Sequence, residues 1–435
     1  MKHIVIVGNG VAGITAARHI RKLADHRITV ISSETPYFFS RTALMYVFMG
    51  HLTFENTQPY EAWFWKKNRI DLVFDHAEEI LTANRQLRLR SGKILAYDNL
   101  VIATGSRSNF FGWPGQDLQG VQALYSYQDL LAMETNTRNI RKAVIVGGGL
   151  IGVEMAEMLH SRKIEVTVLV REQAFWNNVL PIQEALLVSR HIRSHGVDVR
   201  HACELKEIVA DSNGKVKAVR TGDGQEVACD FVGVAVGVHP NVAWLQHSGI
   251  ALNEGVLVNE YLETNIPGIY AIGDCVERRY PLDGRKKIEQ VWYTARMMGE
   301  IAARTICGMP TQYAPGPWFN SAKFFDLEFQ TYGTVANVLA GDEADLYWEH
   351  SSARKAMHLV WKKKNGRFAG INSFGIRLRH GKFDQWLREK RDIRFVVDHL
   401  PEANFDPEFA ERHEADIRQH FIDRERHSSF AVTRP

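Results

Sequence analysis

The stretch Lys2-His3-Ile4-Val5-Ile6-Val7-Gly8-Asn9-Gly10-Val11-Ala12-Gly13 decides the fold. Its first half is a nearly continuous apolar run, the pattern of a strand buried on both faces of a parallel sheet. Its second half is G-x-G-x-x-G, and Ile14 to Arg21 continue at helical spacing. Strand, Gly-rich turn and helix in that order make a cradle for a pyrophosphate. The first glycine permits the tight turn, the second lets the phosphates approach the backbone, and the third lets the helix pack on the strand. Val11 and Ala12 open the helix, whose start supplies free N–H groups and a positive dipole end. Working outward, Arg27 to Ile31 reads as the next strand and is followed by Glu34, 21 residues after Gly13. An acid at that distance accepts hydrogen bonds from an adenosine ribose.

The same unit recurs. Ala143-Val144-Ile145-Val146 is an apolar strand, Gly147-Gly148-Gly149-Leu150-Ile151-Gly152 is its turn, and a helix follows from Val153. Glu165 to Val170 is the next strand; at its end stand Arg171, suited to a 2′-phosphate, and Glu172, suited to a 2′-hydroxyl. Three further signals flank the cradles. Tyr97 to Ile102 runs into Ala103-Thr104-Gly105, and Phe231 to Val236 ends at Gly237. Ile269 to Ile272 ends at Gly273-Asp274-Cys275, where an Asp after a strand-end glycine suits a polyol hydroxyl.

The chain has 435 residues, which at ~150 per domain suggests two to four domains. It is 45% hydrophobic and 24% charged, with a net charge of +3. That balance is ordinary for a globular protein and gives no case for a nucleic-acid partner. No apolar run approaches the ~18 residues of a membrane span. Cys203, Cys229, Cys275 and Cys307 fit no CxxC and no zinc spacing, so neither a local redox dithiol nor a metal site is expected. Their scatter, and a strand already formed at residues 4–7, suit a cytoplasmic location without a signal peptide.

In their order and combination these motifs resemble the flavoproteins with two dinucleotide-binding domains, the pyridine nucleotide-disulfide oxidoreductase superfamily. The resemblance covers roughly residues 2–310. It implies an α/β fold with two Rossmann-like domains, of the glutathione reductase-like FAD/NAD(P) kind, plus a small C-terminal α/β domain. The implied division is an FAD domain at 1–111 and 241–312, an inserted NAD(P) domain at 112–240, and a C-terminal domain at 313–435 that covers the flavin or forms a dimer interface. FAD would be held by Gly8, Gly10, Val11, Ala12, Gly13, Glu34, Arg41, Ala77, Ala103, Thr104, Gly105 and Asp274, with Trp292 opening a helix aimed at the flavin pyrimidine. NAD(P)H would be held by Gly147, Gly149, Leu150, Ile151, Gly152, Arg171, Glu172 and Gly237. Glu154, on the first turn of the second helix, would face the nicotinamide–flavin contact as the candidate catalytic residue.

One departure is informative. The disulfide reductases of this superfamily carry a reactive cysteine after the first ribose acid. Here that region is Pro36-Tyr37-Phe38-Phe39-Ser40-Arg41-Thr42-Ala43-Leu44-Met45-Tyr46. Thiolate chemistry has no nucleophile there. The aromatic–Ser–Arg pattern is instead similar to rubredoxin reductases, oxygenase-type ferredoxin reductases and the flavin region of nitrite reductases. The expected activity is hydride transfer from NAD(P)H to FAD and electron delivery to a small carrier such as rubredoxin or ferredoxin. Reduction of oxygen, a quinone or another small molecule is an alternative, as is an NADH-responsive sensor of the apoptosis-inducing-factor type. Either a monomer or a homodimer is compatible with the sequence.

After Pro315-Gly316-Pro317, strands are expected over Lys323–Tyr332, Asp345–His350, Ala356–Lys362 and Phe368–Ser373, and helices over Phe383–Lys390 and Pro407–Arg426. Residues 354–394 carry 13 Lys or Arg against three acids; residues 398–425 carry nine acids against three Arg. The basic block could steer an acidic carrier, or the acidic tail could fold back and neutralise it.

Overall fold

The computed structural model describes residues 1–281, 285–406 and 408–431. It has two compact units: Met1–Gly147, Met158–Glu165 and Leu205–Pro315 form the first, and Gly148–Glu157, Val166–Glu204 and Gly316–Pro435 the second.

In the first unit the opening strand, His3–Val7, lies at the centre of a five-stranded sheet in the order Ile269–Ala271, Asn99–Ile102, His3–Val7, Arg27–Ser32, Ile70–Phe74. All neighbours are parallel. Ile4, Val5 and Ile6 are completely buried, as an apolar run without alternation requires. Val7 pairs with Ile31 on one side and Ile102 on the other, so three strands end level. Gly8, Ala103 and the Ser32–Glu34 turn therefore emerge along one edge of the sheet. The helix Val11–Leu23 turns Ala12, Gly13, Ala16, Ala17 and Ile20 inward and packs on the helix Trp292–Ile306. Gly299 makes that approach possible: a Cβ there would stand 2.6 Å from the carbonyl oxygen of Ala12.

The same unit holds a parallel trio, Val121–Ala123, Phe231–Val234 and Lys142–Val146, and two antiparallel three-stranded sheets. Ser106–Ser108 pairs antiparallel with Val238–Pro240. The outgoing connection is thus paired a few residues before the expected domain boundary at 111/112.

In the second unit Thr167–Leu169 pairs parallel with Asp198–Arg200, and the helix Ile182–Ser194 precedes that edge strand. The C-terminal part is a five-stranded antiparallel sheet in the order Phe319–Phe324, Leu327–Gly333, Phe368–Phe374, Ala356–Lys362, Glu343–Glu349. One face packs Tyr332, Leu346, Trp348, Leu359 and Ile371 against Phe383, Trp386, Val396, Ile417 and Phe421 of the C-terminal helices. On the opposite parity, His358 and Asn372 sit in register and both hydrogen-bond to Glu184 of the helix Ile182–Ser194.

The expected single strand Lys323–Tyr332 is a hairpin. Its two-residue turn is Phe325-Asp326, and Phe325 has φ +56°. Neither residue is the Gly or Asn that marks such a turn in a sequence. The expected turn Lys364–Arg367 is present, with Gly366 at φ +64°. Helices run over His380–Arg388, Ile393–Asp398, Leu400–Ala403 and Glu414–Ala431. The last begins later than the expected Pro407, which lies outside the described residues.

Candidate cofactor-binding site

The first cradle is shaped by contacts only glycine permits. Gly8 has φ +116°, and a Cβ on it would lie 2.1 Å from the Ala103 carbonyl oxygen. A Cβ on Gly13 would lie 2.0 Å from the Gly8 carbonyl oxygen. Gly10 has nothing within 4 Å of its Cβ position, so the crest of the turn is open where a pyrophosphate must approach. Gly10 also caps the helix without a side-chain hydrogen bond, and no acid sits in the first turn. The N–H groups at the helix start thus keep their capacity for an anion. Asn9 ties the turn to the next strand end by donating to the Thr35 carbonyl at 2.9 Å.

Glu34 and Arg41 meet. Arg41 donates from Nη1 to Glu34 Oε1 at 2.8 Å and from Nη2 to Oε2 at 2.6 Å. The Tyr127 amide also donates to Oε1, at 2.9 Å. Arg41 donates further to the Tyr125 carbonyl at 2.6 Å and lies over the Tyr125 ring at 4.6 Å. Against the cost of burial, the Glu34 carboxylate holds Arg41 charged, above the usual arginine range.

Asp274 follows Gly273 at the end of the strand Ile269–Ala271. Its carboxylate accepts one hydrogen bond among the described residues, from Ser106 Oγ at 3.3 Å. Burial pushes its pKa up to about 6, against the opposing pull of Ser106 and Arg41. A half-buried carboxylate that accepts one long hydrogen bond keeps most of its acceptor capacity, and hydroxyl donors from a polyol would use it. Gln290 donates to the same Ser106 Oγ at 2.8 Å. The helix Trp292–Ile306 has no side-chain cap and no acid in its first turn, so its start also suits developing negative charge.

Thr104 donates to the Asn241 carbonyl at 2.9 Å. Gly105, at φ +68°, brings the backbone against the Tyr125 hydroxyl, which accepts from the Ser106 amide at 2.9 Å. Ala77 is buried at the start of the strand Ala77–Leu81, paired with Leu89. Tyr125, Ser106 and Gln290 were not marked by any motif; isolated polar residues in loops carry no periodic or spacing signal.

The second motif divides between the units. In the first unit Gly147 has φ +121°, and its Cβ would lie 2.2 Å from the Ala235 carbonyl oxygen. This reproduces the Gly8–Ala103 contact. Gly237, at φ +94°, accepts the Asn109 amide at 3.0 Å. In the second unit Gly148 packs on Val170, Gly149 is open, and the helix Leu150–Ser161 carries Leu150, Ile151 and buried Gly152 in its first turn. Glu154 makes no hydrogen bond or ion pair among the described residues. Burial, and then the neighbouring Glu157, push its pKa up to about 7; Lys323 opposes them and pairs with Glu157 at 2.7 Å. Arg171 and Glu172 pair with each other at 3.2 Å, Arg171 the more exposed.

His380 packs on Phe319, at 4.3 Å between ring centroids, and Tyr46 on His51, at 6.1 Å. None of the four cysteines forms a disulfide among the described residues. Burial pushes Cys275 up to about 11 and Cys229 up to about 12, which makes both poor thiolates. In the segment where a redox cysteine would stand, Leu44, Met45 and Phe48 form the buried side of a short helix. No helix among the described residues is long and apolar enough to cross a membrane.

The basic block is largely neutralised. Eight of its thirteen cations form ion pairs: Arg354 with Asp326, Lys355 with Glu411, Lys362 with Asp342 and Glu343, Arg377 with Glu328, Lys382 with Glu402, Arg388 with Asp384, Arg391 with Glu389, and Arg394 with Glu425. Three of those acids, Glu402, Glu411 and Glu425, come from the acidic tail.

A parallel sheet with Gly-rich turns at its strand ends, uncapped helix starts and a half-buried acid after a strand-end glycine defines a dinucleotide-binding oxidoreductase. Residues 2–299 match the pyridine nucleotide-disulphide oxidoreductase family, and the chain belongs to it. The 5,5′-dehydrodivanillate O-demethylase ferredoxin reductase subunit of Sphingobium sp. is 32% identical over 350 residues, covering 78% of this chain and 84% of that protein. A nitrite reductase [NAD(P)H] of Bacillus subtilis is 30% identical over 314 residues, 72% of this chain; the chain spans 38% of that protein's length. Among solved structures, a NAD-dependent persulfide reductase from A. fulgidus superposes with a TM-score of 0.81 at 26% identity, covering 91% of this chain and 78% of that one.

Proposed function

We propose that this oxidoreductase holds FAD in the first cradle, takes hydride from NAD(P)H bound at the second, and passes electrons to a small carrier protein of the ferredoxin or rubredoxin kind. The observation that carries the FAD assignment is the half-buried carboxylate of Asp274, which directly follows the strand-end Gly273 and accepts one long hydrogen bond among the described residues. Gly8, Gly10 and Gly13 would seat the pyrophosphate, Glu34 a ribose hydroxyl, and Asp274 the ribityl chain. Arg41, fixed by Glu34 and Tyr125, brings a permanent positive charge to the phosphate side. FAD held there would supply the chemistry that takes one hydride, two electrons, from NAD(P)H and passes the electrons on one at a time. Glu154, raised towards neutrality by burial, is set to donate a hydrogen bond at neutral pH, which suits a nicotinamide carboxamide. The ion-paired Arg171 and Glu172 support NADH, or both coenzymes, over strict NADPH use. The division, with an inserted NAD(P) domain at 112–240, rests on the paired connections Ser106–Ser108 and Val238–Pro240, which bracket residues 109–237.

The carrier reading is supported by the ferredoxin reductase among the relatives and by a sequence with no cysteine before Cys203. Its test is a stopped-flow panel in which NADH-reduced enzyme meets oxygen, quinones, ferredoxins and rubredoxins. Reoxidation by an iron–sulfur protein at least tenfold faster than by oxygen is expected, and it should persist in a folded variant with all four cysteines replaced. Preferential reoxidation by oxygen or a quinone would favour a small-molecule reductase. Slow flavin reduction, with a change of oligomeric state, would favour a sensor.

A further inference from the structure

We propose that His191, His195 and Asp326 form a binding site for a divalent late transition metal such as zinc, with one position open to water. Nothing in the oxidoreductase reading uses these residues. His191 and His195 lie one helical turn apart at the end of the helix Ile182–Ser194, and Asp326 is the second residue of the hairpin turn. All three are in the second unit. Both imidazole Nε2 atoms converge on one carboxylate oxygen, Asp326 Oδ1, at 2.8 Å from His191 and 3.1 Å from His195. The three candidate ligand atoms lie within 4.8 Å of one another.

The tautomer of His195 identifies what belongs between them. Its Nδ1 lies 3.0 Å from the His191 carbonyl oxygen. The amide of His195 bonds instead to Ile192 and Arg193. A carbonyl only accepts, so Nδ1 carries the hydrogen. Nε2 of the neutral ring is then a lone pair facing a carboxylate lone pair, a repulsive contact unless a cation lies between. Metal-bound histidines show the same second bond, the distal N–H donating to a backbone carbonyl. A tetrahedral site with bonds of ~2.0–2.1 Å separates its ligand atoms by roughly 3.3 Å. The half-exposed Asp326 would retreat by a few tenths of an ångström, and the two Nε2 atoms, within 4.8 Å of each other, would close on the metal. Phe325 stacks on the His195 ring at 4.6 Å between centroids, which fixes its plane.

Two imidazoles and one carboxylate favour zinc, copper, nickel or cobalt over magnesium or calcium. Arg354 occupies the other oxygen of Asp326. It orients the carboxylate and at the same time weakens its attraction for a dication. Bound metal would tie the end of the helix to the hairpin of the C-terminal sheet.

The test uses tag-free, flavin-loaded full-length protein, stripped with chelator and titrated calorimetrically with zinc ion alone; cobalt(II) absorption reports geometry. One zinc per chain is expected, with tetrahedral cobalt bands. His195→Gln and Asp326→Asn, both at partly exposed positions, should weaken binding at least tenfold, and Arg354→Gln should tighten it. No stoichiometric zinc uptake would overturn the site and assign the proton-bridged form, with His195 as an imidazolium. So would uptake that neither His195→Gln nor Asp326→Asn weakens.

Discussion

His358 is buried between two carboxylates, and stability should depend on its charge. It bonds to Glu184 through Nδ1 at 2.6 Å and to Asp345 through Nε2 at 2.9 Å. Asp345 is also held by Arg424 at 3.1 Å, and Glu184 by Asn372 at 2.8 Å. Burial opposes a charge on the ring, yet the two carboxylates outweigh it and raise its pKa from 6.5 to about 9. Burial alone would press Glu184 towards its neutral form, an effect opposed by His358 and Asn372. Asp345, lowered chiefly by its hydrogen bond with His358, would keep the imidazolium partnered even then. A group whose folded pKa is raised contributes stability that is complete below the unfolded value and lost as pH rises through the folded one. The window is therefore pH 6.5 to about 9, and the gap is worth roughly 3 kcal/mol at 1.36 kcal/mol per pH unit. His358→Gln removes the cation and leaves Glu184 buried without it, at a cost of about 3–5 kcal/mol at the acid end. Urea midpoints, read by tryptophan fluorescence across this window and on to about pH 10, give the comparison. The deficit of the variant should shrink by roughly 3 kcal/mol on the way up. Subtracting the two profiles cancels the titrations they share. A deficit constant with pH would refute a charged His358.

Asp274→Asn should weaken FAD binding by about 10- to 100-fold, from the loss of a charged hydrogen-bond acceptor. Because hydroxyl donors favour the carboxylate, wild-type FAD affinity should rise with pH through about 6, the value for Asp274, and this dependence should vanish in the variant; flavin fluorescence titration reads both. The pH profile of flavin reduction by NADH should bend near 7, where Glu154 titrates, and the bend should be absent in Glu154→Gln. With most of the basic block ion-paired, carrier reduction should change less than about tenfold between low salt and ~0.5 M, where screening reaches within a few Å; a steeper fall would restore the steering role. Glu34→Gln and Arg41→Met should be coupled for FAD affinity by about 1 kcal/mol or more in a double-mutant cycle, since each side chain holds the other; additive losses would separate their roles.

The first sheet and both Gly-rich turns were legible because their signals are local. Ile4 to Val7 has no polar alternation, and a glycine at a forced φ leaves a fixed mark in sequence. Asp274 was legible for the same reason, standing directly after a strand-end glycine. The Phe325-Asp326 turn was not, since a hairpin without Gly or Asn looks like an uninterrupted strand. Nor was the Glu34–Arg41 clasp: both residues were marked, but as separate ligands, and only the fold shows them bound to one another. Glu184 and His358 stand 174 residues apart, and no spacing rule connects groups that a sheet and a helix bring together. The basic block shows the converse. Charge counted along the chain left an open patch and neutralisation by the acidic tail as alternatives, and the acids that pair with the block come mainly from outside it, three of them from that tail.

The two cradles share a backbone device and differ in their polar surroundings. Gly8 and Gly147 both sit at φ near +120°, and each would place a Cβ about 2 Å from the carbonyl of an alanine at a neighbouring strand end. The sheet thus sets each turn by the same steric rule, independent of what it binds. Around the first turn, Glu34 already spends three acceptor interactions on Arg41 and Tyr127. A carboxylate has about four such positions, so one remains for a ribose hydroxyl. Arg41, Tyr125, Ser106 and Gln290 are likewise held in place before any ligand arrives. Preorganisation of this kind lowers the ordering cost of binding and lengthens residence. Glu154, on the helix that follows the second turn, has no such partner among the described residues, and the neighbouring Lys323 pairs with Glu157. On the proposed reading, the contrast matches one nucleotide retained through the catalytic cycle and another that must leave after each hydride.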